Sequence, residues 1–202
     1  MTMAHGVVIG LASVQGGGKG ELVKPLVFAG AEHFHLGTVV RDTARANGFV
    51  PEEETREAYL PFWKEYSADY GENWLAKLAM AHAQEKEVAI VVDGVRIAAD
   101  ACTIAEVGTM FWMHTDLRAV AERVVKRARE EDQNTTTVEG CIESMESDLA
   151  DTGHFSMGTV RDLCTVHLLP VPEIEDAVPR AEAYRAQAMF VLETSGARER
   201  SS

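Results

Sequence analysis

Short runs of apolar residues alternate along the chain with longer stretches in which apolar residues recur every three or four positions. The runs predict buried strands at residues 7–12, 31–36, 88–92, 109–114 and 165–171. The periodic stretches predict helices at residues 21–28, 38–47, 52–70, 73–84, 116–130 and 178–192. Strands that alternate with helices form parallel sheets covered by helices on both faces. The pattern therefore predicts an α/β fold with a five-stranded parallel sheet.

Two segments interrupt this alternation. Residues 51–84 hold six of the chain's 14 aromatic residues. Five of the six follow helical spacing, at Tyr59, Phe62, Trp63, Tyr66 and Tyr70. This spacing favours the core of a small helical arm over a platform on which bases stack. Residues 130–160 carry eight acids and no Lys or Arg, a composition typical of a mobile surface lid.

Composition narrows the class of protein. The 202 residues supply one core, so we expect a single domain over 1–202. A net charge of −13 disfavours binding to nucleic acid. Without a bilayer-length apolar run or a secretory signal pattern, the expected location is the cytoplasm, with no membrane association. Three cysteines fit neither a disulfide framework nor a zinc site, and we expect them to be buried.

A glycine loop is the strongest chemical feature. It covers residues 15–20 (QGGGKG) and stands between the first predicted strand and the first predicted helix. Consecutive glycines let backbone N–H groups turn inward around an anion, and Lys19 adds a charge toward the β- and γ-phosphates. The alternative is a plain strand-to-helix turn, and the lysine at the start of the helix favours phosphate binding over it.

Four blocks of the chain together resemble the adenylate-kinase-like nucleoside monophosphate kinases, a family of P-loop NTPases. The blocks are residues 13–21 (SVQGGGKGE), 35–42 (HLGTVVRD), 90–96 (IVVDGVR) and 122–127 (ERVVKR). The first is similar to the family's Gly-x-x-Gly-x-Gly-Lys-Gly-Thr, with Ser13 and Glu21 as departures. Details such as the Asp-Gly-Val-Arg of residues 93–96, which lacks proline, resemble compact members near dephospho-coenzyme A kinases and viral deoxynucleotide kinases, and the subfamily stays open.

The resemblance implies a role for each matching residue. The ATP-binding residues would be Gly16, Gly17, Gly18, Lys19, Gly20, Glu21 and Arg123. The acceptor-binding residues would be Gly37, Arg41 and Arg96. The catalytic residues would be Lys19, Arg96, Arg127 and Asp93, with Asp93 also near Mg²⁺. Arginine suits these positions because its guanidinium group binds phosphate oxygens in pairs and stays ionised.

The fold implied is a P-loop kinase three-layer sandwich, with a helical arm for the monophosphate at about 37–84 and a short lid at about 130–160. The implied activity is transfer of the γ-phosphoryl group of ATP, with Mg²⁺, to a (deoxy)nucleoside monophosphate. Transfer to a hydroxyl group, with Asp93 as general base, is an alternative. Others are a nucleotide sensor without catalysis and, more weakly, a kinase that acts on DNA. The oligomeric state stays open.

Three other residues have ambiguous chemistry. His33 and His35 lie two positions apart on one predicted strand, and ordinary packing or surface histidines are favoured over a metal pair. Arg161 follows the acidic segment and is equally consistent with a phosphate contact and with a structural ion pair.

Overall fold

A computed structural model describes residues 6–52, 57–127, 137–153, 155–171 and 176–196. Its strands are β1 (Val8–Ala12), β2 (Glu32–His35), β3 (Ile90–Asp93), β4 (Thr109–Met113) and β5 (Val166–Leu168). They form one sheet in the order β2-β3-β1-β4-β5, and every neighbouring pair is parallel. The predicted five-stranded parallel sheet is confirmed.

The helices cover both faces of this sheet. They are α1 (Lys19–Phe28), α2 (Leu36–Ala46), α3 (Leu60–Tyr70), α4 (Trp74–Lys86), α5 (Ala98–Val107), α6 (Leu117–Arg127), α7 (Val138–Leu149), α8 (Met157–Leu163) and α9 (Ala177–Thr194), with a 3₁₀ turn at Glu57–Tyr59. Helices α1 and α9 pack on one face, and α4, α5 and α8 pack on the other. The result is the three-layer arrangement that the sequence predicts. No helix of the described residues is long and apolar enough to span a bilayer.

Strand β1 is buried on both faces. Ile9 and Leu11 belong to the core under α1 and α9, whereas Val8 and Ala12 belong to the core under α4, α5 and α8. A strand in this position needs apolar residues throughout, which is why residues 7–12 read as an unbroken apolar run and not as an alternation. The central strand therefore delivers the glycine loop to the middle of the sheet's carboxyl edge.

Side-chain hydrogen bonds help to set where helices α2 and α4 begin, from a neighbouring residue in α2 and from another helix in α4. Helix α2 begins at Leu36, two residues before the prediction, because the backbone N–H of Thr38 donates to Nδ1 of His35 at 3.0 Å. Helix α4 has no side-chain cap from its own N-terminal neighbour. Instead the backbone N–H of Ala76 donates to the carboxylate of Asp100, a residue of α5, at 2.9 Å.

The aromatic stripe of the arm divides between two roles. Phe62 packs with Tyr59 and Ala44 in a small core of the arm, as the sequence predicts. Tyr66 and Tyr70 stack at 4.3 Å between ring centroids. Tyr59 and Trp63, however, also line the large cavity described below.

The described parts of the acidic segment form α7 and α8. Helix α7 packs on α6, and α8 packs on α5 and places Met157 and Val160 in the core. Closure of this segment as a lid stays a prediction. The expectation for the cysteines is correct for Cys141 and Cys164 and wrong for Cys102, which lies exposed on α5.

Gly108 joins α5 to β4 at a point where a side chain has no room. A Cβ atom there would overlap the carbonyl oxygen of Val8. We expect Gly108→Ala to lower the free energy of unfolding by about 1–3 kcal/mol, because backbone atoms must move to admit the methyl group. Gly20→Ala is the matched control: no atom lies within 4 Å of its Cβ position, and helix propensity gains about 0.5–1 kcal/mol. Equal melting temperatures for the two variants would contradict the packing at Gly108.

Candidate functional site

A cavity of about 730 Å³ opens at the carboxyl ends of the central strands. The glycine loop, the start of α2, the residues after β3, α6 and α9 all contribute to its wall. Parallel sheets bind ligands at this edge, and the volume is that of a pocket for a small molecule. Most of the residues that the sequence analysis singles out line this one cavity.

The glycine loop forms the base of this cavity. Gly16 and Gly18 have left-handed backbone angles, with φ of 72° and 90°. Gly18 stands at the N-cap of α1 without a side-chain hydrogen bond to the helix, so the first N–H groups of α1 have no side-chain cap. A helix N-terminus of this kind binds anions through its N–H groups and its dipole.

Lys19 folds back across the loop. Its Nζ donates to Oγ of Ser13 at 2.9 Å, to the carbonyl oxygen of Ser13 at 3.2 Å and to that of Val14 at 3.3 Å. Burial and, to a smaller extent, the charge of Arg96 lower the pKa of Lys19 from 10.5 to about 8, against the opposing effect of Asp93. Ser13, a departure from the family pattern, thus supplies two of the three oxygens that hold the lysine.

Asp93 ends β3 inside the cavity and is 5% exposed. His33 holds this carboxylate through Nε2, which lies 2.9 Å from Oδ1. That hydrogen bond is the main reason that the pKa of His33 is raised. The expectation that His33 is an ordinary packing or surface histidine is therefore incomplete, because the side chain is bound to the buried acid of the site.

His35 links the arm to the same acid. Nδ1 accepts the backbone N–H of Thr38, so the neutral ring carries its proton on Nε2. That Nε2 lies 3.9 Å from Oδ1 of Asp93. Burial lowers the pKa of His35, and the charges of His33, Arg41 and Lys19 act in the same direction. The ring is therefore a neutral group at the junction of β2, α2 and Asp93.

Two of the predicted arginines reach the cavity from different elements. Arg41 comes from α2 and lines the cavity. Two acids that could pair with it have other partners, since Asp42 pairs with Arg45 and Glu32 pairs with His82. Arg96 follows β3 and lies 5.0 Å over the ring of Phe155. Gly37 also lines the cavity, beside Arg41.

The opposite wall comes from α6 and α1. Arg123 and Lys126 line the cavity, and Glu21 lies at its edge in an ion pair with Lys24 at 2.7 Å. The side chain of Arg127 lies outside the described residues, so its assigned role stays a prediction. Arg161 pairs with Asp162 at 3.1 Å. This contact favours a structural ion pair over a phosphate contact for Arg161.

The lining is strongly cationic although the chain is acidic. Among the described residues, six cationic side chains contribute to it: Lys19, Arg41, Arg96, Arg123, Lys126 and Arg180. Three acids do so: Glu21, Asp93 and Asp100. Burial raises the pKa of Asp100 to about 7, so this carboxyl is only partly ionised at neutral pH. A cavity with this balance of charge in a chain of net charge −13 is suited to an anionic ligand.

Some residues of the lining carry no signal in the sequence. Asp100, Arg180 and Tyr184 belong to no motif, and only the fold brings them to the cavity. Lys126 lies within the block 122–127, where no role was assigned to it. The pairing of His33 with Asp93 crosses 60 positions of sequence. In the sequence, only the i, i+2 spacing of His33 and His35 indicated that these histidines could share a role.

Solved structures with the same fold are kinases. The chain matches shikimate kinase from Bacteroides thetaiotaomicron with a TM-score of 0.58 and 16% identity, over 93% of this chain and 98% of that one. The match to dephospho-CoA kinase from Campylobacter jejuni has a TM-score of 0.52 and 8% identity, over 92% and 95%. The fold is that of P-loop kinases. That part of the resemblance is confirmed, and the nucleoside monophosphate subfamily stays a prediction.

Sequence relatives of the chain are described only as UPF0200 proteins. One from Sulfurisphaera tokodaii is 28% identical over 177 residues, which are 87% of this chain and 93% of the relative. Another from Hyperthermus butylicus is 27% identical over 186 residues, 89% and 95% of the two chains. No family model matches the chain.

The lowered pKa of Lys19 predicts that nucleotide binding is linked to proton uptake. Above about pH 8 the empty site holds mostly neutral Lys19, and bound phosphate raises its pKa because an anion favours the charged amine. At pH 8.5 we expect ATP binding to take up a proton, measured by calorimetry in two buffers of different ionisation enthalpy. Lys19→Met should abolish the uptake, whereas Lys24→Met, which removes an exposed lysine, should not. A binding enthalpy independent of the buffer would contradict the prediction.

Proposed function

We propose that this chain transfers the γ-phosphoryl group of ATP to the phosphate of a (deoxy)nucleoside monophosphate. The observation that carries the proposal is the position of Lys19 and the glycine loop on one side of a cavity whose other side holds Arg41 and Arg96. Phosphoryl transfer requires two anions to be held in line and the charge between them to be neutralised. The cavity offers cations for both anions.

The donor side would hold the phosphates of ATP. The N–H groups of the loop and of the start of α1 face an anion, and Lys19 is close enough to exchange its contacts with Ser13 for contacts with phosphate oxygens. Arg123 of α6 lines the same side. These residues bind and orient the donor without taking part in covalent chemistry.

Mg²⁺ fits the residues at this site. Mg²⁺ binds through one or two carboxylates together with water and phosphate oxygens, and Asp93 supplies a carboxylate of which one oxygen is hydrogen-bonded to His33. The described residues include no cluster of three or more metal-binding side chains, which agrees with an ion held largely by the nucleotide. When bound, Mg²⁺ would neutralise charge that develops on the phosphate oxygens.

The acceptor side combines charge with aromatic rings. Arg41 and Arg96 would bind the acceptor phosphate, while Tyr59, Trp63 and Phe155 supply flat apolar walls to the same cavity. Such walls suit a planar base. An oxygen of the acceptor phosphate would attack the γ-phosphorus as the bond to the β-phosphate oxygen breaks, which releases ADP.

A hydroxyl acceptor is the second candidate, and one observation favours it. Asp93 is buried and is oriented by His33, the arrangement that a general base requires. The acceptor hydroxyl would give its proton to Asp93 while its oxygen bonds to the γ-phosphorus and ADP leaves. The kinases with similar folds include shikimate kinase and dephospho-CoA kinase.

A screen of acceptors tests both candidates. Purified protein with Mg-ATP is incubated with each common ribo- and deoxyribonucleoside monophosphate, with dephospho-coenzyme A and with shikimate, and ADP release and products are measured. We expect a nucleoside diphosphate as the product, and Lys19→Ala to lower turnover at least about a hundredfold because an interaction that forms in the transition state is lost. Phosphorylation of a hydroxyl compound alone would replace the first candidate by the second. ATP binding without transfer to any acceptor would overturn both in favour of a sensor.

Arg41 provides a sharper test of the acceptor side. We expect Arg41→Ala to raise the acceptor's KM at least about tenfold, because a charge-assisted contact with the acceptor phosphate is lost. The affinity for ATP should change less than about twofold. Arg45→Ala, one turn along the same helix and paired with Asp42, is the matched control. Equal weakening of both substrates would give Arg41 a shared or structural role.

A further inference from the structure

Helix α9 presents two polar side chains to the cavity, and neither belongs to any motif. Arg180 and Tyr184 stand one helical turn apart, and both line the cavity beside the glycine loop. Helix α9 packs against α1, the helix that begins with the loop. This places both side chains on the donor side of the site.

Tyr184 fixes the position of α9 relative to the loop. Its ring packs against the core that contains Leu22 and Leu26 of α1. Its hydroxyl oxygen lies 2.6 Å from the point where a Cβ atom on Gly18 would stand. The hydroxyl thus reaches the backbone of the loop, and a glycine at position 18 is required for this approach as well as for its left-handed angle.

No contact within the described residues explains why position 180 is an arginine. Its side chain is exposed, and no ion pair joins it to another described residue. It stands among the first four residues of α9, the end at which the helix dipole disfavours a cation. Stability of the helix therefore does not account for an arginine there.

The acidic segment adds no cation to the donor side beyond those of the glycine loop and α6. Residues 130–160 contain no Lys or Arg, so this segment cannot supply cations to the phosphates of ATP. The groups that would bind the acceptor, Arg41 and Arg96, follow β2 and β3, whereas α9 packs over β4 and β5 with Met113 and Leu168. A cation on α9 therefore lies beside the glycine loop and away from the groups that would bind the acceptor.

We propose that Arg180 binds the α- and β-phosphates of ATP and that the hydroxyl of Tyr184 donates a hydrogen bond to the same chain. The inference rests on the proposed function in taking ATP as the donor, but not on any acceptor. Arg180 would supply from the C-terminal helix the charge that the acidic segment lacks. Its guanidinium group can bind oxygens of two adjacent phosphates.

Binding of ATP, ADP and adenosine by calorimetry tests this proposal. We expect Arg180→Ala to weaken ATP and ADP at least about tenfold and to leave adenosine unchanged, because only the phosphates are contacted. Arg180→Lys should restore part of the loss, and Tyr184→Phe should weaken ATP by a smaller factor. Arg185→Ala is the matched control, since Arg185 is exposed on the same helix and does not line the cavity.

The outcomes separate this inference from the proposed function. Equal weakening of adenosine would show that Arg180 contacts the base, and unchanged ATP binding would show a solvated side chain; either result overturns the inference while phosphoryl transfer could stand. A wild-type protein that binds ATP, shows the Arg180 effect and transfers phosphate to nothing would overturn the proposed function alone. Failure of the wild type to bind ATP would overturn both.

Discussion

The parallel register of β2, β3 and β1 is the constraint on which the site depends. Leu11 of β1 and His35 of β2 both pair with Asp93 at the end of β3, so three strands finish at one level. The chain that leaves each of them must turn at the same edge of the sheet. The glycine loop, the buried acid and the start of the arm are therefore neighbours, and α6 and α9 complete the wall of the cavity around them.

Positive charge is concentrated at this edge of the sheet, and the repulsion between the cations is unfavourable while the cavity is empty. Lys19 is bound by oxygens of Ser13 and Val14, and still its pKa is lowered by burial and by Arg96. Cations in a partly buried cavity repel one another, so an anion that enters lowers the electrostatic free energy of the site. Electrostatics thus favours the bound state, and the cationic cavity contrasts with the chain's net charge of −13.

His35 connects helix α2 to the buried carboxylate of Asp93. Its Nδ1 caps α2, the helix that carries Arg41, and its Nε2 faces Asp93. A shift of the arm would therefore move a ring that lies against the acid. In the same way Asp100 ties α5 to the first turn of α4 through the N–H of Ala76. This part of the cavity wall is held by side chains whose polar atoms contact other elements.

The sequence by itself determined the layers of the fold and the loop. A strand buried on both faces has to be apolar throughout, and a loop that surrounds an anion requires glycine, so both leave a local pattern in residues 7–20. The family motifs drew attention to Arg41, Arg96 and Arg123, and all three line the cavity. Only tertiary structure decided that His33 binds Asp93, that Asp100 caps α4, and that Tyr184 reaches Gly18. Each of these contacts joins residues that lie far apart in sequence, and periodicity reports only the neighbours within one element.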